Sequence, residues 1–125
     1  MKIALLGYGK MGKVIESIAL NRGHEITLKI DEHSRGYDIK SVDVAINFST
    51  PDSAVNNIRE ALENNIPVIS GTTGWLSELE TIQSLCRTKK GAFIYASNFS
   101  LGVNIFFELN KNLAKMMQAL SYYKV

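Results

Sequence analysis

The first twelve residues, Met1-Lys2-Ile3-Ala4-Leu5-Leu6-Gly7-Tyr8-Gly9-Lys10-Met11-Gly12, constrain this chain more than any other stretch. An apolar-rich run of strand length leads directly into Gly-x-Gly-x-x-Gly, and an amphipathic helical pattern follows from Lys13. A strand, a tight turn and a helix start in that order aim free helix N–H groups at the turn, where a pyrophosphate is held. Gly7 takes the strained turn, Gly9 lets the backbone approach the phosphates, and Gly12 lets the helix pack closely on the strand. Tyr8, Lys10 and Met11 complete the loop and join the three glycines as candidate contacts. The alternative is a glycine-rich structural turn; the strand before and the helix after favour the dinucleotide reading.

A second part of that fingerprint follows. Glu25-Ile26-Thr27-Leu28-Lys29-Ile30 reads as a strand, after a helix that Gly23 ends. It finishes at Asp31, 19 residues beyond Gly12, where an acid accepts hydrogen bonds from the adenosine ribose hydroxyls. The competing reading is a solvated acid at a strand end. Glu32 follows and no arginine is adjacent, although Lys29 and Arg35 are close enough to serve a 2′-phosphate. The expected cofactor is therefore NADH, with NADPH possible.

Strand and helix patterns alternate along the rest of the chain. Val42 to Phe48 is a β-rich run, and Thr50-Pro51-Asp52 opens a helix with Pro in the first turn. That helix carries Ala54, Val55, Ile58, Ala61 and Leu62 on one face and ends at Asn64-Asn65. Ile66 to Ser70 is a further strand, and Ser77-Glu78-Leu79-Glu80 is a capping box opening a helix to about Thr88. Ala92 to Ala96 is the fifth strand, and Leu101 to Leu120 the longest helical pattern. Ser121 to Val125 reads as the beginning of another strand. Short buried strands alternating with helices predict an α/β fold: a doubly wound parallel sheet, first strand central, helices on both faces.

Ligands bind such sheets at the carboxyl edge. Three loops there are unusual: Asn47-Phe48-Ser49-Thr50, Gly71-Thr72-Thr73-Gly74, and Ser97-Asn98-Phe99-Ser100-Leu101-Gly102-Val103-Asn104. Flexible backbone and hydroxyl donors suit a nicotinamide ribose or a carboxylate; a polar turn followed by a helix cap is the other reading of each.

Bulk properties exclude several classes. A chain of 125 residues suits one domain, 46% hydrophobic content is ordinary for a globule, and a net charge of +2 argues for neither nucleic acid nor a membrane surface. No apolar run approaches the ~18 residues of a transmembrane span, and no signal peptide is expected. The single cysteine, Cys86, shares a helical face with Leu79, Ile82 and Leu85, which fits a core position in a cytoplasmic protein. His24 is expected at the surface and His33 in a loop by the adenosine end; neither has partners at metal-ligand spacing, so no metal site is expected.

Gly7-Tyr8-Gly9-Lys10-Met11-Gly12, Asn47-Phe48-Ser49, Gly71-Thr72-Thr73-Gly74 and Ser97-Asn98-Phe99-Ser100-x-Gly102-Val103-Asn104, in that order, resemble the 4-hydroxy-tetrahydrodipicolinate (dihydrodipicolinate) reductase family. The resemblance covers essentially the whole chain and is more specific than a generic Rossmann match. It implies bacterial lysine and diaminopimelate biosynthesis, with a cyclic hydroxy-dicarboxylate reduced by NADH or NADPH. The implied dinucleotide contacts are Gly7 to Gly12, Asp31, Phe48 and Ser49, Gly71 to Thr73, and Ala96, Ser97, Asn98 and Phe99. Thr73 is also implied as a substrate contact.

The resemblance further implies a second domain for substrate binding and tetramerisation, with a His-His-x-x-Lys proton donor and an Asp-Ala-Pro-Ser-Gly-Thr-Ala carboxylate grip. Neither motif occurs in these 125 residues. Residues 1–120 are thus expected to form a dinucleotide-binding domain, truncated after the long helix, and 121–125 to begin the second domain. The catalytic residues are expected elsewhere, and this chain alone is expected to bind cofactor without turnover, as a monomer or by non-specific self-association. Two rival functions are a stand-alone NAD-binding regulatory module and another nicotinamide-dependent reductase sharing the domain.

Overall fold

Ile3, Ala4, Leu5 and Leu6 are four consecutive buried apolar residues, and they form the strand on which the rest is organised. In a computed structural model describing residues 1–31, 33–34, 36–120 and 122, the strands are β1 (Lys2–Leu6), β2 (Glu25–Ile30), β3 (Val44–Asn47), β4 (Val68–Ser70) and β5 (Phe93–Tyr95). The helices are α1 (Lys10–Asn21), α2 (Pro51–Glu63), α3 (Leu79–Lys89) and α4 (Leu101–Gln118). All neighbouring strands run parallel, in the order β2-β1-β3-β4-β5. The doubly wound parallel sheet is as expected; β1 is interior, although β3 is the middle strand.

A continuous apolar run is what a parallel strand covered on both faces requires. Ala4 and Leu6 enter the larger core cluster, beneath α2 and α3, together with Ala45, Ile58, Leu62, Val68 and Ile82. Ile3 and Leu5 enter the smaller one with Ala19 of α1. Cys86 is half-buried against the larger cluster, as its helical face predicts. His24 is partly exposed, and its backbone N–H donates to the Ala19 carbonyl at 2.9 Å, closing the end of α1.

Cover is uneven on the α1 face. The register row Lys29, Leu5, Ile46, Ile69, Ile94 crosses the sheet on that side. Leu5 is 1% exposed beneath α1, whereas Ile94 on β5 is 57% exposed. No residue of α4 is buried, and Phe106, Leu109 and Met116 lie more than half exposed on it. The long helix thus carries more apolar surface than the sheet covers.

One local expectation fails. Ser77 and Glu80 form no capping box: Leu76–Glu78 is a single 3-10 turn, α3 starts at Leu79, and its N-cap is Glu78 with no side-chain bond. The buried Trp75 sets this register, donating its indole N–H to the Thr72 carbonyl at 2.6 Å and accepting the Glu78 N–H at its own carbonyl, 3.0 Å away. The anticipated strand at 121–125 lies outside the described residues except for Tyr122, which is in a turn.

Candidate functional site

Because every strand is parallel, all five carboxyl ends lie on one edge of the sheet. The chain leaves β1 towards β2 on one side and returns to β3 on the other, so the β1 and β3 loops flank the switch point where such sheets bind ligands. Backbone bonds extend the sheet past this point, from the Gly7 N–H to the Ile30 carbonyl at 2.8 Å and from the Phe48 N–H to the Leu6 carbonyl at 2.9 Å.

The three motif glycines meet three different demands. Gly7 has φ +101°, and a Cβ there would lie 2.1 Å from the Phe48 carbonyl oxygen. A Cβ on Gly12 would lie 2.5 Å from the Gly7 carbonyl oxygen, so this glycine permits the close approach of α1 to the turn. A Cβ on Gly9 would meet nothing within 4 Å. Its missing side chain therefore serves no packing and leaves space in front of the helix. There α1 begins without a side-chain cap and without an acid in its first turn. Its N–H groups and the positive end of its dipole are uncompensated by the chain, the condition that favours a bound anion.

An open cleft of about 870 Å³ runs from this turn to the end of β2, bordered by Gly7, Tyr8, Gly9, Asp31, Phe48 and Ser49. The Asp31 carboxylate accepts the Ser34 hydroxyl at 2.8 Å and the His33 N–H at 2.9 Å. These bonds, the Ser34 hydroxyl foremost, hold its carboxyl below the usual range, so it is an anionic acceptor at neutral pH. Tyr37 closes the cleft beside it, donating to Glu60 at 2.7 Å; burial and then that carboxylate push the phenol up to about 12. A second cavity of about 250 Å³ is bordered by Met11, Phe48, Ser49, Gly71, Thr72 and Thr73. Phe48 and Ser49 border both, so the two form a path from the β2 end to the β4 loop.

Beneath that path lies a buried polar network. The Asn47 amide donates to the Ser70 hydroxyl at 3.0 Å, while its carbonyl oxygen accepts the Ser49 hydroxyl at 2.8 Å and the Asn57 amide at 3.2 Å. The Thr72 hydroxyl accepts the Ser49 N–H at 2.9 Å. Asn47, Ser70 and Thr72 are buried, and no described buried side-chain polar atom lacks a partner. The β3 and β4 loops are thus tied to each other before any ligand arrives. The Thr72 hydroxyl is consumed by the fold, whereas Thr73 is exposed.

The β5 loop is organised differently. Asn98 accepts the Ser100 N–H at 2.7 Å, Ser100 caps α4 by accepting the Val103 N–H, and the Asn104 amide donates to the carbonyls of Asn98 and Ser100, both at 2.9 Å. Most of the polar residues of this motif therefore shape a helix start. Ala96, Ser97 and Asn98 border neither cavity. Phe99 joins the site through the Phe48 ring, 6.3 Å away between centroids. Lys10 is exposed on the first turn of α1, and Gly12 is buried behind the turn.

Two features escape a reading of the sequence. Asn57 is the polar residue on the apolar face of α2, between Ala54 and Ala61, and that interruption is its signal. Lys29, weighed above as a phosphate ligand, instead pairs with Glu16 of α1 at 2.5 Å; Arg35 lies outside the described residues.

Residues 1–99 match the family model described as "Dihydrodipicolinate reductase, N-terminus". A 4-hydroxy-tetrahydrodipicolinate reductase from Christiangramia forsetii is 53% identical over 127 residues, covering 100% of this chain and 53% of the relative. Another, from Caldanaerobacter subterraneus subsp. tengcongensis, is 31% identical over 88% of this chain and 48% of the relative. The chain thus spans about half the length of these curated relatives. A putative homoserine dehydrogenase from Archaeoglobus fulgidus superposes with a TM-score of 0.63 at 20% identity, covering 76% of this chain and 42% of that one, which shows a shared fold. The glycine turn, the acid at the end of β2 and the family match agree: this chain belongs to the dihydrodipicolinate reductase family and matches its N-terminal part, with a Rossmann-like fold.

Proposed function

We propose that this chain holds the reduced nicotinamide cofactor of a 4-hydroxy-tetrahydrodipicolinate reductase, in lysine and diaminopimelate biosynthesis. The observation that carries the reading is the cradle at Gly9: open space in front of an uncapped helix, at the switch point of a parallel sheet. The relatives' names supply the substrate and the reaction class, reduction of 4-hydroxy-tetrahydrodipicolinate, for which the product would be tetrahydrodipicolinate.

Gly7 to Gly12 would hold the pyrophosphate through backbone N–H groups, with Lys10 adding positive charge at the helix end. Asp31 would accept the adenosine ribose hydroxyls, and its negative charge would repel a 2′-phosphate, favouring NADH over NADPH. Phe48 and Ser49 would carry the cofactor across the switch point. Gly71 to Thr73, with Ala96 to Phe99, would flank the nicotinamide end, where the exposed Thr73 would meet substrate. When bound, the cofactor supplies the hydride; the chain's own residues position it and keep its ribose and phosphates fixed. In the whole protein, a further domain would bring the dicarboxylate and the proton donor, close over the site to exclude water, and form the tetramer.

Titration by nicotinamide fluorescence tests this. The chain should bind NADH, Asp31→Ala should weaken binding by about tenfold or more, and no substrate-dependent oxidation should follow. A chain that binds neither NADH nor NADPH would overturn the cofactor reading. Turnover by the chain alone would place the proton donor within these residues.

A further inference from the structure

One charged cluster plays no part in the site as described. Lys29, the residue before Ile30 at the carboxyl end of β2, projects to the α1 face of the sheet, in register with Leu5. Its ammonium lies 2.5 Å from the Glu16 carboxylate and 5.0 Å from the centroid of the Tyr8 ring. The Tyr8 hydroxyl donates to the same carboxylate. Tyr8 borders the cleft and Lys29 lies against the Tyr8 ring, behind a lining residue and about 7 Å along the chain from Asp31.

We propose that Glu16 is a specificity-determining residue: by holding Lys29 against α1, it denies the ribose 2′ position the cation that a phosphorylated dinucleotide would need. This rests on the dinucleotide reading above. A 2′-phosphate brings about two negative charges to a pocket whose acid is Asp31. A lysine two residues before that acid would offset them if its charge were available. Instead Glu16 neutralises it and Tyr8 fixes the carboxylate from the other side. Glu16, which borders neither cavity, therefore acts through Lys29. The shifts at both partners agree in direction: the Lys29 hydrogen bond, ahead of that from Tyr8, holds the Glu16 carboxyl below its ordinary value, and the Glu16 hydrogen bond raises Lys29.

The test measures affinities for NADH and NADPH in the full-length protein carrying this chain, for wild type, Glu16→Gln, Glu16→Ala and the double variant Glu16→Gln/Lys29→Met. Both single variants should raise the NADPH-to-NADH affinity ratio by about tenfold, the scale of one charge-assisted contact. The gain should shrink as salt is raised, and the double variant should return the ratio to that of wild type. An unchanged ratio in both single variants overturns the proposal. So does a gain that persists without Lys29, which would assign it to Lys10 or Arg35. Wild type that binds neither dinucleotide refutes instead the cofactor reading on which the proposal rests.

Discussion

The carboxyl edge of the sheet is held together by buried polar contacts, whereas helix α4 leaves its apolar residues exposed. At the edge, buried polar groups satisfy one another: Asn47 alone joins Ser49, Asn57 and Ser70, and the loops they support are held in place without a ligand. On α4, not one residue is buried, and Phe106 and Met116 are 58% and 72% exposed. The edge is preorganised, so binding there orders little and loses little entropy. The helix displays apolar surface for which the described residues supply no cover, the kind of surface that promotes association. Two consequences of one sequence are thus separable: a completed site and an uncompleted face.

The sharpest way to break this contrast is at Gly7. Alanine there adds a Cβ 2.1 Å from a backbone oxygen at a positive φ, which the edge cannot absorb. The expected loss is about 3–5 kcal/mol of stability, or failure to fold, read by thermal denaturation. Asn47→Ala comes next. It leaves the partners of a fully buried amide unpaired and should cost about 2–3 kcal/mol, with weaker NADH binding as the β3 and β4 loops loosen. A melting temperature within error of wild type would show that the network is incidental.

How far this contrast was legible beforehand varied by element. The buried run in β1, the glycine turn and Asp31 were readable because their spacing follows from backbone geometry alone. The existence and length of α4 were readable from its helical apolar pattern. Asn57 was not assigned, since its role depends on α2 crossing the end of β3, a tertiary fact. The ion pair between Glu16 and Lys29 joins a helix to a strand and has no local periodicity to announce it. The Ser77 box was legible but misleading: a buried Trp75 two residues earlier outweighed a local cap.

Smaller effects sharpen the same comparison. Leu109→Asp on α4 should change unfolding free energy by less than about 0.5 kcal/mol, because that side chain is 62% exposed, while reducing self-association measured by sedimentation. A large loss of stability would mean the helix is covered after all. The smallest expected effect is the pH dependence of Asp31. Its carboxyl is held below the ordinary value, so the anion persists as pH falls through the usual carboxylate range. Affinity for NADH, followed by fluorescence, should therefore stay level from neutrality to about pH 5 and decline only as pH approaches the lowered value. A decline centred near pH 6 would assign the titration to another group.

The most direct measurement of the central claim is amide hydrogen exchange on this chain with and without NADH. The account predicts added protection at Gly7 to Met11, around Phe48 to Thr50 and at Gly71 to Thr73, with α4 exchanging rapidly in both states and unchanged by ligand. Protection gained in α4, with the strand-end loops unaffected, would contradict it.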